Sequence, residues 1–514
     1  MNRLMALCLG LALLLPLLGG CAAPVESDVY TIADPVGDWG YPNPFRHYLR
    51  GPGYVRTSLV FEPLVWKDAD GFVPGLARDW QYLADECAYR FHLQEGVVWH
   101  DGQVFTADDV VFSFDYYAQH PYGFADIMAV ERVEAAAGEV TVYLKEPDAS
   151  FFDNVAATLP ILPKHIWQDV TDPVHWDEEG AAIGTGPYRL ADYSQEHGTY
   201  LYEAFPAYYG PGQKVESIRF VRVAAELAPA ALQNGEVDAV EVPPEAVAEL
   251  QEQGFHVIVR DHDWCARLMI NHRQEPLADV RFRQALAYAI DRQELVQFSL
   301  RGHGLAGSPG IIAPDSPWYD AGAPQYDYDP EMAQELLAEL GYQPGEDGRL
   351  QKSGQVLQLE LLVKPDRARD GQLLQEQLAR IGIKVELRGL DDKSVDARVQ
   401  EWQFQLALSG HGGLGGDPRI LNSVITGPGF NSARYQDEEL EGLLQAQLTA
   451  MDREQRQLLV GQVQRLFAQR VPALTLYYPD AYWAYRAGEV ELYFTAGGIG
   501  CGVPIPLNKL SFLE

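Results

Sequence analysis

Basic residues are scarce: 39 lysines and arginines stand against 73 aspartates and glutamates in 514 residues, a formal net charge of -34. Such a surface repels phosphate backbones and anionic headgroups, which argues against nucleic acid as a partner. Cysteine is scarcer still, with five in the chain. Cys8 and Cys21 fall in an apolar N-terminal run, so Cys87, Cys265 and Cys501 remain for at most one disulfide, and no C-x-x-C spacing supports a zinc or dithiol site. Whether two of those three pair is open at this level. Catalytic signatures are missing as well: there is no G-x-x-x-x-G-K-[ST] phosphate loop, no H-E-x-x-H pair and no G-x-S-x-G elbow. The expectation is a protein without enzymatic activity and without a cofactor. Low-complexity tracts are also lacking, and 47% hydrophobic with 22% charged residues is an ordinary globular balance. A chain of this length exceeds one hydrophobic core, so two or three domains are expected.

What is present begins at the N-terminus. "LGLALLLPLLGGCAAP" (9 to 24) is preceded by Arg3 and interrupted by Pro16 and Gly19-Gly20. It is too short for a membrane span of about 20 apolar residues and fits a secretory apolar region. Leu18-Gly19-Gly20-Cys21 resembles the bacterial lipobox, in which the cysteine thiol is lipidated. On that reading residues 1–20 are a signal peptide, Cys21 is the mature N-terminus and residues 21–27 are a tether. Acyl chains on Cys21 would hold the body to the cell membrane, on the periplasmic side or the outer surface.

Further on, "DVYTIADPV" (28 to 36) alternates like a strand, and "GYPNPFRHYLRGPGY" (40 to 54) reads as a loop. His47, Tyr48, Arg50 and Tyr54 could line a cleft from that loop, or it could simply pack its own aromatics. "TADDVVFS" opens a helix: Thr106 can cap it, Asp108 and Asp109 suit its first turn, and Val110, Val111 and Phe114 supply an apolar stripe. "RFRQALAYAIDRQELVQF" has helical spacing, and "GIKVELRGL" alternates like a strand after an amphipathic helix. Such alternation of strands and helices implies α/β lobes.

Glu62-Pro63-Leu64-Val65, "VPGLARDW", "YRFHLQEGVVWHDG" and "TADDVVFS" together resemble the family 5 extracellular solute-binding proteins, the peptide and nickel binding components of bacterial ABC importers. "LPKHIW", "IGTGPYRL", "LQNGEVDAVEV", "PLADVRFRQALAYAIDR", "YDPEMAQELLAELGY" and "FAQRVPALTLYYP" follow in the family's order, so the resemblance covers nearly the whole mature chain. It implies a periplasmic-binding-protein type II fold: two α/β lobes with a hinge, plus an extra inserted domain. Residues 28–69, 185–269 and 486–514 would form lobe I, 70–184 the inserted domain and 270–485 lobe II. Ligand would bind between the lobes and the closed form would meet the permease subunits. The implied partners are a small-molecule ligand, either a peptide or a metal chelate, and the importer, with the receptor itself a monomer.

The cargo is to be read from "WQFQLALSGHGGLGGDPRILNSVITGPGFN" (402 to 431). Peptide-binding members often place an aspartate three residues before an Asp-Pro pair to hold the peptide ammonium. Here Asp417-Pro418 is present, but that earlier position is Leu414. Unless the Gly-rich loop shifts the alignment or another acid such as Asp417 substitutes, the simple peptide reading weakens, because burying an ammonium without a carboxylate costs several kcal/mol. The nickel-binding relatives hold a chelated metal with arginines, aromatics and sometimes a histidine; His411, Trp402, Arg419, His47 and Arg50 are candidates for those parts. His411 stands alone in sequence, and an isolated histidine is more often solvated or satisfied by backbone than a metal ligand. Trp264 in "DHDWCARLMINH" and the tail "YFTAGGIGCGVPIPLNK" (493 to 509) are further cleft candidates. Trp264 is as readily a core tryptophan at a domain junction, and Cys501 a small buried group beneath a backbone.

Overall fold

The computed structural model describes residues 29–514 apart from 177, 261 and 430, so Cys21 and the leader lie outside the described residues. A seven-stranded sheet is ordered His256–Val259, Tyr482–Tyr485, Ala239–Val242, Val29–Asp34, Ser217–Arg222, Thr199–Ala204, Tyr188–Ser194. Val29–Asp34 at its centre runs parallel to both neighbours. A six-stranded sheet is ordered Gly304–Ala306, Ala473–Pro479, Cys265–Ile270, Leu406–His411, Gln358–Val363, Lys384–Gly389. Between residues 77 and 144 lies a separate antiparallel sheet of four strands.

Burial follows the strand period of two. In the six-stranded sheet Leu268, Leu406 and Leu408 enter one hydrophobic cluster, while Cys265, Met269 and Ala407 enter another on the opposite face. Helices therefore cover both faces of lobe II, which makes its strands nearly uniformly apolar. In lobe I a single cluster joins Ile32, Tyr202 and Phe220 of the large sheet to Phe91 and Val140 of the four-stranded sheet and to Trp167 of the short helix Lys164–Trp167. The four-stranded sheet thus shares its core with the large sheet of lobe I.

Local features follow their residues. Asp109 Oδ2 accepts from the Thr106 N–H at 2.8 Å and from its hydroxyl at 3.1 Å, opening helix Ala107–Gln119. Val110 and Phe114 of that helix are buried, whereas Val111 is half-buried. The expected loop over 40–54 ends early: helix Gly51–Ser58 starts inside it, because Pro52 presets the first helical turn. The stretch from 280 to 299 forms two helices, Val280–Ala289 and Arg292–Ser299, with Asp291 accepting from the Glu294 N–H at 3.0 Å. Cys87, Cys265 and Cys501 are free thiols. Among the described residues no helix is long and apolar enough to cross a membrane.

The chain crosses between the sheets twice, from Val259 to Cys265 and from Pro479 to Tyr482. The Arg260 N–H donates to the Ala481 carbonyl at 2.9 Å and joins the crossings. His262 bridges them to lobe II, with Nδ1 2.6 Å from Asp315 and Nε2 2.8 Å from Asp480.

Candidate functional site

Strand direction decides which residues meet at the lobe boundary. Cys265 pairs with His411 and Ala266 with Tyr477, so the start of one strand and the ends of two others reach the same edge of the lobe II sheet. In lobe I the ends of Val29–Asp34, Ser217–Arg222 and Ala239–Val242 likewise share an edge. Such carboxyl ends of strands are where open α/β sheets present loops to ligands.

Two glycine-rich loops meet across the boundary. A Cβ placed on Gly416 would lie 2.9 Å from the Gly497 carbonyl oxygen and 3.4 Å from Gly502 Cα; one on Gly502 would lie 3.2 Å from Gly413 Cα. Residues 413–416 of lobe II and 497–502 of the C-terminal tail are thus in backbone contact. Gly502, at a φ of +81°, also needs the left-handed freedom of glycine. The tail is fixed to lobe I by Ile499 and Val503 in its core and by Asn508, which accepts from the Trp66 indole at 2.8 Å.

Beneath these loops Asp153, Asn154, Asp417, Arg419, Ser423 and Cys501 border a cavity of about 40 Å³. Its charges are matched. Arg456 holds Asp417 by two bonds of 2.6 and 2.5 Å, and Asp417 also accepts from the Arg419 N–H at 2.8 Å. Arg419 reaches across to Asp126 of the inserted region at 2.5 Å, and Lys67 pairs with Asp153. Burial pushes the Asp153 carboxyl up against the pull of Lys67. Burial likewise pushes the Cys501 thiol up to about 12, which disfavours the thiolate at neutral pH.

The seam thus brings together Asp417, Arg419 and Cys501, with Tyr54 beneath Gly500. Tyr54 is buried and stacks on Trp66 with centroids 6.5 Å apart, and it fills the space a Gly500 side chain would need. His47 and Arg50 lie farther out, in an open groove of about 640 Å³ that Val174 and Asn431 also line. His47 is buried and stacked on Phe124; its Nδ1–H donates to the Tyr48 carbonyl at 2.9 Å, leaving Nε2 to accept from the Tyr122 hydroxyl at 3.2 Å. Burial lowers its pKa to about 4, so it is neutral.

Leu414 is packed in the lobe II core and presents no polar group in place of an ammonium anchor. His411 is buried beside Cys265; burial, with the Arg267 charge adding to it, lowers its pKa to about 3. Trp264 is half-buried against Gly410, under the Arg367 guanidinium 4.8 Å from its ring. Trp402 precedes strand Leu406–His411 at the end opposite the glycine loop, where Arg273 and Arg434 sandwich its ring at 3.8 and 4.2 Å. The structure therefore does not bring Trp402 together with the others.

Sequence reasoning missed Asp126, Asp153, Lys67, Arg367 and Arg456. Each comes from a segment with its own local explanation, and no spacing ties it to the 411–419 loop. Arg367 follows strand Gln358–Val363 and donates to the Tyr477 hydroxyl at 2.7 Å.

Two lobes, two crossings and a lined seam define a two-lobed binding protein of type II architecture. Residues 71–431 match the model for bacterial extracellular solute-binding proteins, family 5, middle region, and the chain belongs to that family. It is 27% identical over 454 residues to the dipeptide-binding protein of Escherichia coli (strain K12), covering 82% of this chain and 83% of that protein. It is 28% identical over 437 residues to the oligopeptide-binding protein AppA of Bacillus subtilis (strain 168), covering 80% and 78%. NikZ from Campylobacter jejuni, solved in complex with Ni(L-His), shares the fold with a TM-score of 0.78 and 24% identity over 93% of this chain and 98% of its own. The family is one of bacterial extracellular solute-binding proteins, and both of these curated relatives are named as peptide-binding proteins.

Proposed function

We propose that this chain captures a short peptide or peptide-like solute between its lobes and delivers it to the permease of an ABC importer. It performs no covalent chemistry of its own, and lipid on Cys21 tethers it to the membrane beside its transporter. The observation that carries this reading is the closed seam, in which loops 413–416 and 497–502 meet while cavities of about 140 and 150 Å³ remain at its hinge side. Spaces of that size suit a small solute rather than a long extended peptide. Closure removes such a solute from water and creates one surface from two lobes, which a permease can distinguish from the open form.

The peptide-binding relatives of Escherichia coli and Bacillus subtilis support the cargo class. The packing of Leu414 and the engagement of Asp417 with Arg456 support recognition by a group other than the usual ammonium anchor. Native mass spectrometry of the protein purified without its lipid, followed by denaturation to release what it carries, tests the reading. Short peptides in the released fraction support it. A metal with a small chelator would replace it by the nickel-type alternative and point to Arg419 and the groove around Arg50.

A further inference from the structure

Hinge-side of the glycine seam, Asp34, Trp39, Glu241, Arg260, Trp483 and Phe494 are among the residues enclosing a cavity of about 150 Å³. That is roughly five times the ~30 Å³ share of one water molecule. Three of its walls are aromatic. Through Arg260 and Phe494 it adjoins a second cavity of about 140 Å³, which reaches Gly415 and Gly497 of the seam itself. A solute lying in the seam can therefore extend into it.

The charges around this cavity do not cancel as they do beneath the glycine loops. Asp34 is fully engaged: it accepts from the N–H groups of Val36 and Gly37 at 2.8 and 3.0 Å, the Trp39 indole at 2.8 Å and Arg56 at 2.8 Å. Arg56 is in turn buried against Phe220. Arg260 is 3.2 Å from Asp263. Glu241 has neither a hydrogen bond nor an ion pair to any side chain among the described residues. Glu241 keeps an exposed face towards the cleft; desolvation by the surrounding walls raises its carboxyl, Arg260 opposes the shift and Asp34 adds to it. With Asp34 matched by Arg56 and Asp263 by Arg260, the surplus is one negative charge facing aromatic rings. A carboxylate and aromatic faces together favour a cation, the first by charge and the second by ring quadrupole.

We propose that this chamber, with Glu241 as its charged wall and Trp39, Trp483 and Phe494 as its aromatic ones, receives an alkylammonium group of the cargo. The proposal rests on the solute-binding reading and supplies the ammonium partner that Leu414 cannot. The nitrogen can come from a peptide N-terminus or from a lysine-type side chain. Either source presents the same chemistry to Glu241.

Isothermal titration calorimetry on the dialysed protein separates the possibilities, with butylammonium chloride as the direct probe and sodium butyrate as its anionic counterpart. Trialanine, N-acetyl-trialanine and N-acetyl-trialanine extended by lysine then identify the source of the nitrogen. The expected result is saturable binding of butylammonium but not butyrate, and at least a tenfold loss in Glu241→Gln. Tighter binding of trialanine than of its acetyl form would assign the N-terminus; recovery with the lysine peptide would assign the side chain. Equal or absent binding of butylammonium and butyrate by the wild type overturns the proposal without any variant, as does unchanged butylammonium affinity in Glu241→Gln. If butylammonium binds in a Glu241-dependent way while none of the peptides bind, the chamber stands and the peptide reading fails. If acetylated and free peptides bind alike and butylammonium does not, the peptide reading stands and the chamber fails.

Discussion

Gly416→Ala is the sharpest perturbation of lobe closure that the seam offers. Gly416 has no positive φ, so alanine adopts its backbone conformation without strain. Its new Cβ, however, falls 2.9 Å from the Gly497 oxygen, about half an ångström inside ordinary contact, and both neighbours are backbone. Rotating a side chain away cannot relieve this. The closed form must open slightly or distort, and overpacking of this kind costs about 1–3 kcal/mol. Because the contact is between lobes, the open form carries no penalty, and ligand affinity should fall by about 5- to 150-fold. Calorimetry with the co-purifying solute measures the affinity, and small-angle scattering measures closure. Gly442→Ala on helix Glu438–Thr449 is the control: its Cβ meets open space, and alanine at an interior helix position should stabilise slightly. Unchanged affinity in Gly416→Ala with an unchanged melting temperature would refute the assignment of loops 413–416 and 497–502 as the closure surface.

Two further outcomes follow from buried charge. His47, at about 4 in the folded protein against 6.5 unfolded, takes up its proton later than the unfolded chain does, so its stabilising effect is complete above pH 6.5 and is lost as pH falls towards 4. The loss amounts to about 3 kcal/mol by pH 4; urea unfolding between pH 7 and pH 4.5 should be steeper in pH for the wild type than for His47→Asn, and parallel curves would refute it. Lys509 and Glu62 are each 1% exposed and 2.7 Å apart beside Trp66, so Lys509→Met should destabilise by about 3–5 kcal/mol by leaving a buried carboxylate unpaired. Adding Glu62→Gln should restore part of that stability in the same urea assay, and no recovery would count against the unpaired charge as the cause.

Local order was legible in the sequence wherever neighbours along the chain fix it. The Thr106 and Asp109 pattern opened its helix, and the alternation in "GIKVELRGL" became strand Lys384–Gly389 after an amphipathic helix. The order of motifs along the chain was enough for the family, because it samples nearly every element of both lobes. The loop over 40–54 was misjudged at its end, since its glycines outweighed the helix-starting geometry of Pro52.

The seam was far less legible. That Leu414 is apolar is plain from the sequence, but that Arg456 engages Asp417, 39 positions away, is decided only when two helices and a loop pack together. Likewise the glycines of the tail and of the 412–416 loop are each ordinary turn formers; facing one another, they become a closure surface. Glu241 looks like one more acid in a chain with 73 of them, and only folding sets it beside Trp39, Trp483 and Phe494 along one cavity, without an ion-pair partner among the described residues. The sequence by itself determined the elements, the family and the absence of catalytic motifs, because periodicity, caps and motif order are local in the chain. Tertiary structure alone decided which charges are matched and which are left facing a cavity, because neutralisation depends on distance in space between residues that the sequence keeps apart.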